Sequence, residues 1–155
     1  TFEGQAAMWL ERLAKHASTI DAYPLPLQDN ELDFRPLLDG MIRDRLRGRD
    51  TREVARAFQR GIAQGLSHAI SSLRREHGVD TVVFSGGVFQ NELLLRDLKN
   101  LLDSQPLQIW TNHKVPSNDG GISLGQAALA ALENLRSEDL VEENDSTWMT
   151  HRSKQ

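Results

Sequence analysis

Two glycine-bearing turns carry most of what this chain could do chemically. Ser85-Gly86-Gly87-Val88 separates an apolar stretch from an amphipathic one, and Asn118-Asp119-Gly120-Gly121 repeats that arrangement farther along. Glycines remove the side chains that keep a ligand off the backbone, and unpaired N–H groups at a helix start attract anions, so a phosphate or nucleotide suits such a turn. Two glycines also make a tight turn without any ligand, and neither the dinucleotide fingerprint nor the P-loop spacing is present. Asp119 offers its carboxylate either to a cation or, as a turn aspartate commonly does, to the start of the following helix. The histidines His16, His68, His77, His113 and His151 include no pair four residues apart, so no complete metal site is written in the chain. His113 precedes Asp119 closely enough to share a cleft with it, or stands in solvent. Cysteine is absent, which excludes disulfides, thiolate metal sites and thiol nucleophiles. Ser85 sits in no nucleophile elbow and has no evident base, and no residue is identified as catalytic.

The elements that must hold these turns follow from periodicity. Residues 4–16 space Ala7, Leu10, Leu13 and Ala14 as one face of a helix. Tyr23, Pro24 and Pro26 interrupt it, and the stretch to Phe34 reads as an irregular connector. Pro36 starts a short second helix that continues through Leu46 to Gly48. Asp50-Thr51-Arg52-Glu53 has the form of a capping box, and Val54, Phe58, Ile62, Leu66, Ile70 and Leu73 then recur at helical spacing, predicting a third helix of about 24 residues. From residue 79 the pattern becomes strand (79–84), glycine turn, helix (92–102), strand (107–110), glycine turn, helix (122–135). That β-α-β-α order favours parallel strands with both turns at one carboxyl edge, where open α/β sheets bind ligands.

Composition limits the function classes. Leu, Ile, Val and Phe make up about a quarter of the 155 residues, enough for a real core. A net charge of −4 gives no general pull toward nucleic acid or anionic lipid. Seven arginines between Arg43 and Arg60 form a local exception, which reads as a docking patch or as a solvated helix face. No apolar run approaches membrane-spanning length and no signal pattern opens the chain, so the expectation is a soluble, cytoplasmic protein. The start at Thr1, without Met and already in a helical pattern, suggests a piece of something longer. From residue 136 the sequence turns polar and acidic, and a disordered tail is expected over 136–155.

Three segments, in order, resemble a known family: Phe2-Glu3-Gly4-Gln5-Ala6-Ala7, Phe84-Ser85-Gly86-Gly87-Val88-Phe89-Gln90-Asn91, and Val115-Pro116-Ser117-Asn118-Asp119-Gly120-Gly121-Ile122-Ser123-Leu124-Gly125-Gln126-Ala127. They look like the C-terminal end of the HypF-type carbamoyltransferases that mature nickel–iron hydrogenases, with similarity from Phe2 to about Leu132. The resemblance implies an α/β chain over residues 1–135, forming part of the second lobe of an actin-like ATP-binding fold, helix-rich with a small parallel sheet. It is similar to the domain of tRNA threonylcarbamoyl-transferases. The activity so implied converts carbamoyl phosphate and ATP, through carbamoyl adenylate, into a carbamoyl group on the C-terminal cysteine of a HypE-type partner. Position by position, Gly86, Gly87 and Asn91 match the nucleotide loop, Asp119 matches a carboxylate ligand of the active-site divalent metal, and Glu3 falls near the nucleotide ribose. The His-x-x-x-His pair that completes the family's metal site is absent here, as are its upstream domains. Phe2 stands where the family has Tyr, and Gln59 where it often has His. An isolated chain of this kind is expected to be inactive and prone to self-association through open strand edges. The alternatives are a tRNA threonylcarbamoyl-transferase relative, which Phe89-Gln90-Asn91 and the acidic pI disfavour, and a non-catalytic module binding a nucleotide or a partner.

Overall fold

The computed structural model describes residues 2–18 and 20–133; the tail expected from residue 136 lies outside them. The order of elements is α1 (Gln5–Lys15), β1 (Leu27–Gln28), β2 (Glu31–Leu32), α2 (Arg35–Leu46), α3 (Thr51–His77), β3 (Thr81–Phe84), α4 (Glu92–Leu102), β4 (Gln108–Thr111) and α5 (residues 122–133). None of the described helices is long and apolar enough to cross a membrane.

α3 organises the rest. The Asp50 carboxylate accepts from the Arg52 backbone N–H (2.8 Å), while Glu53 accepts from the Arg49 side chain (3.3 Å), so the capping box is half made. The helix runs 27 residues and stops at Gly78, whose φ of +66° is the left-handed closure glycine supplies. Its two mid-helix glycines oppose helix propensity and have a packing reason. A Cβ on Gly61 would lie 2.3 Å from the Tyr23 carbonyl oxygen, and one on Gly65 would lie 2.6 Å from the Leu25 side chain. The segment that reads as an irregular connector therefore lies in a groove along α3, and the Tyr23 N–H donates to the Ala57 carbonyl (3.2 Å).

That connector also holds an antiparallel hairpin not evident from the sequence, pairing Leu27 with Leu32 and Gln28 with Glu31. Its turn residues Asp29 and Asn30 have φ of 49° and 64°, the left-handed pair that a tight hairpin turn requires and that Asp and Asn tolerate. Beneath it the Tyr23 hydroxyl donates to Asp44 (2.7 Å), which also accepts from Arg49 (2.7 Å). Burial, reinforced by the Asp44 carboxylate, pushes the Tyr23 phenol up to about 12. Hydrogen bonds from Arg49 and then Tyr23 hold the Asp44 carboxyl below its usual range.

Three apolar clusters share α3. Val54 and Ala57 pack with Tyr23, Leu25 and Leu37; Ala55 packs with Ala14 of α1 and Leu93 of α4; Ala63 packs with Phe84, Leu94, Leu98 and Leu102. β3 and β4 are parallel, in register from Thr81↔Gln108 to Phe84↔Thr111, with α4 as the crossover. α3 and α4 lie on the same face of this pair, against Val82, Phe84 and Ile109. The other face presents the register partners Val83 and Trp110, each 61% exposed. The result is the helix-rich α/β architecture with a small parallel sheet that the resemblance implies.

Candidate functional site

Because β3 and β4 run parallel, Phe84 and Thr111 end at one edge, and the two glycine turns leave from it together. They are tied there, since the Gly86 N–H donates to the Ser117 carbonyl (2.6 Å). Gly86 has φ +100° and ψ 161°, a conformation open to glycine and strained for any residue with a Cβ. A single 3-10 turn, Gly87–Gln90, follows, closed by Phe89 N–H to Gly86 O (3.0 Å) and anchored where the Phe89 ring stacks on Phe84 at 5.0 Å.

Gly87 differs from Gly86. Its φ is not positive, and a Cβ built there meets nothing within 4 Å. Neither backbone strain nor packing among the described residues requires a glycine at this position. Among the described residues the N–H groups of Gly87 and Val88 reach no acceptor, so two donors stand exposed on this turn.

The start of α4 is less open than the sequence suggests. Asn91 Oδ1 accepts from the Leu94 N–H (2.9 Å), and Glu11 of α1 accepts from the Leu93 N–H (3.4 Å). Among the described residues the first turn of the helix therefore keeps one free donor, the Glu92 N–H, beside the two in the glycine turn, and Asn91 keeps its NH2 group for a ligand.

In the second turn the cap belongs to Asn118, whose Oδ1 accepts from the Gly120 N–H (3.1 Å). Asp119 is exposed, and among the described residues its carboxylate makes no hydrogen bond or ion pair. Gly121 answers to the turn itself, since a Cβ there would lie 2.9 Å from the Pro116 carbonyl oxygen. A hollow of about 310 Å³ opens between the segments that follow β3 and β4, its lining including Phe89, Gln90, Thr111, Asn112, Pro116 and Ser117 but none of Gly86, Gly87, Asn91 and Asp119.

Glu3 is exposed in the turn ahead of α1, where Gly4 has φ +80°. α1 is fixed to α4 through Glu11, and Lys15 bridges Glu11 (2.9 Å) and Glu92 (3.6 Å). Glu3 lies two helical turns before that contact and makes no hydrogen bond or ion pair to either glycine turn among the described residues. The structure thus gathers Gly86, Gly87, Asn91 and Asp119 at one edge, and among the described residues Glu3 is not bonded to any of them. His113 is exposed and its Nε2 engages the Thr111 hydroxyl at 3.2 Å. Among the described residues no three His, Asp or Glu side chains come together as a metal site, so Asp119 can contribute one donor of the six or more that hard divalent cations take. Sequence reasoning missed the roles of Glu11, Ser117 and Asn118, and gave the capping alternative to Asp119.

A family model described as the second subdomain of the Kae1-like domain of a carbamoyltransferase matches residues 1–126. Carbamoyltransferase HypF of Rhodobacter capsulatus is 35% identical over 133 residues, covering 86% of this chain and 17% of that protein. Carbamoyltransferase HypF of Synechocystis sp. is 33% identical over 131 residues, covering 81% and 16%. A crystal structure of full-length HypF in a phosphate- and nucleotide-bound form aligns with a TM-score of 0.75 at 37% identity, over 83% of this chain and 17% of that one. The chain spans less than a fifth of the length of each of these relatives.

Proposed function

This chain belongs to the HypF-type carbamoyltransferase family, as the second subdomain of its Kae1-like domain, and from that premise we propose that it forms one wall of a nucleotide site in a carbamoyltransferase. The Gly86-Gly87 turn takes the phosphates of ATP, and then of carbamoyl adenylate, against its exposed N–H groups, with the Asn91 NH2 beside them and Glu3 toward the ribose. Asp119 supplies one ligand to a divalent metal whose other ligands come from elsewhere in the full-length protein. Carbamoyl phosphate first gives up its phosphate to water, leaving carbamate and inorganic phosphate; a carbamate oxygen then attacks the α-phosphorus of ATP, which releases pyrophosphate and leaves carbamoyl adenylate. AMP leaves when the sulfur of a C-terminal cysteine, on a HypE-type hydrogenase maturation partner, takes the carbamoyl group.

The observation that carries this reading is Gly87. A glycine costs conformational entropy on folding, and here neither its backbone angles nor its neighbours among the described residues account for it. A ligand lying against the backbone does account for it. Family membership favours this reading over action on tRNA, and the net charge of −4 agrees.

Nucleotide titration tests it. In the 155-residue chain, ATP should shift the backbone amide resonances of Gly86, Gly87 and Val88 saturably. Gly87→Val should weaken that binding by about tenfold, since the new side chain fills the space the ligand needs. Its melting temperature should stay the same, because the site is open. Unchanged affinity in a folded variant refutes the assignment and leaves a plain turn.

Asp119→Asn separates a ligand from a cap. Since Asn118 already caps the turn, stability should not change. In the full-length protein, affinity for the divalent metal should fall by about tenfold or more, because a neutral amide is a poorer ligand than a carboxylate. Retention of stoichiometric metal with normal turnover would remove Asp119 from the metal site.

A further inference from the structure

Four of the seven arginines between Arg43 and Arg60 are paired with carboxylates within the chain. Arg43 pairs with Asp39, Arg49 with Asp21, Asp44 and Glu53, Arg52 with Asp50, and Arg56 with Asp97. Arg45, Arg47 and Arg60 make no ion pair among the described residues, and Arg45 and Arg47 are exposed. Arg60 differs from those two in its burial. It sits one turn beyond Arg56 on α3, half-buried, and among the described residues it has no acidic partner. Its Nε is buried with no hydrogen-bond partner.

Arg60 lines a hollow of about 190 Å³ at the seam between α3 and α4, shared with Ala63, Gln64, Asp97, Asn100 and Leu101. Asp97 is committed, because both of its oxygens accept from the Arg56 guanidinium, one at 3.0 Å. That leaves the positive charge of Arg60 uncompensated in the hollow. The carboxamides of Gln64 and Asn100 flank it and make no hydrogen bond among the described residues. Each carries an NH2 group able to donate. Asn100 lies nine residues along α4 from Asn91, about 13 Å at 1.5 Å per residue, so this seam is separate from the glycine turns.

A guanidinium edge that makes no hydrogen bond of its own, bordered by further N–H donors and by a carboxylate, Asp97, that Arg56 already holds, is complementary to an anion with two oxygens in one plane. The Nε–H and a neighbouring Nη–H point in parallel and match such a pair of oxygens, a geometry lysine cannot reproduce. We propose that the α3–α4 seam is an oxyanion-binding site, taking a carboxylate or a phosphate group edge-on against Arg60, with Gln64 and Asn100 donating from its sides. The anion is either a side-chain carboxylate of another protein segment or a phosphate, and both present the same pair of oxygens.

The test is side-chain NMR on the 155-residue chain, following the arginine Nε–Hε resonances while inorganic phosphate or acetate is added at fixed ionic strength. The Arg60 resonance should move saturably while those of Arg52 and Arg56 stay in place, and the anion that binds more tightly identifies the source. Arg60→Lys should weaken binding by about tenfold or more, because the paired donors are lost although the charge is kept. Asn100→Ala should weaken it less, with both variants melting as the parent does. A non-saturating drift common to all exposed arginines, or equal affinity in Arg60→Lys, overturns the proposal. So does an Arg60 signal that ignores both anions and moves only in Asp97→Asn, which would make Arg60 a second partner of Asp97.

Discussion

Gly61→Ala should lower the melting temperature by several degrees or more, although alanine is the better helix former. In an unencumbered helix the exchange would gain about 1 kcal/mol. Here the new Cβ would stand 2.3 Å from the Tyr23 carbonyl oxygen and 3.3 Å from Leu37 Cδ1. The first of these is backbone, so the connector must lift away from α3. Overpacking alone costs about 1–3 kcal/mol. Lifting also loosens the Tyr23 N–H to Ala57 bond and exposes part of Tyr23 and Leu25, both more than nine-tenths buried. Each such apolar side chain contributes about 1.5–3 kcal/mol when fully buried. The net loss is about 2–4 kcal/mol, worth roughly 5–15 °C in a domain of this size. Gly87→Ala is the control: open surroundings predict a change within about 0.5 kcal/mol. Thermal melts of the two variants decide the matter, and a Gly61→Ala chain as stable as the parent would show that the connector does not need α3.

Long, strongly periodic elements were legible from the sequence, and contacts between distant segments were not. The leucine spacing of α4 gives its observed bounds, Glu92–Leu102, because four of those leucines, Leu93, Leu94, Leu98 and Leu102, form its buried face. α3 outran its apolar stripe, continuing from Leu73 to His77 because Gly78 and the basic last turn, rather than hydrophobic burial, end it. The hairpin was hidden because each of its strands is two residues long. The β-α-β-α order was enough to place both glycine turns at one edge, a consequence of parallel strands alone. It could not show that Glu11 caps α4 from 82 residues away, or that Asn118 rather than Asp119 caps its own turn. Gly61 and Gly65, four apart inside a helix, were the readable sign of a close approach, and only the fold identifies Tyr23 and Leu25 as what approaches. Gln59 is 3% exposed with neither amide atom partnered, and the packing around it offers no account of that.

The 155-residue chain alone should fold and yet give no carbamoyl transfer. On the proposed function, what it presents of the site is one wall: two exposed N–H donors at Gly87 and Val88, the Asn91 NH2, and a single exposed carboxylate at Asp119. No second or third metal ligand joins Asp119 among the described residues. Reaction in a cleft requires the reacting groups to be held within a fraction of an ångström, and misplacement by about 1 Å already costs about a hundredfold in rate. A nucleotide lying on one open wall stays solvated, which weakens every electrostatic contact made to it. The surrounding surface agrees with an incomplete site. Parallel sheets are normally covered on both faces, yet Val83 and Trp110 are 61% exposed on the face away from α3 and α4. Leu124, Leu129 and Leu132 of α5 are also more than half exposed. Both surfaces are expected to meet other parts of a full-length protein, or a second copy of the chain when those are missing. The assay supplies the purified chain with carbamoyl phosphate, ATP, a divalent metal and a peptide ending in cysteine, and measures AMP and pyrophosphate formed in a carbamoyl-dependent way. The expected rate is indistinguishable from that without protein, and turnover above it would show that the chain holds a complete site and that the one-wall reading is wrong.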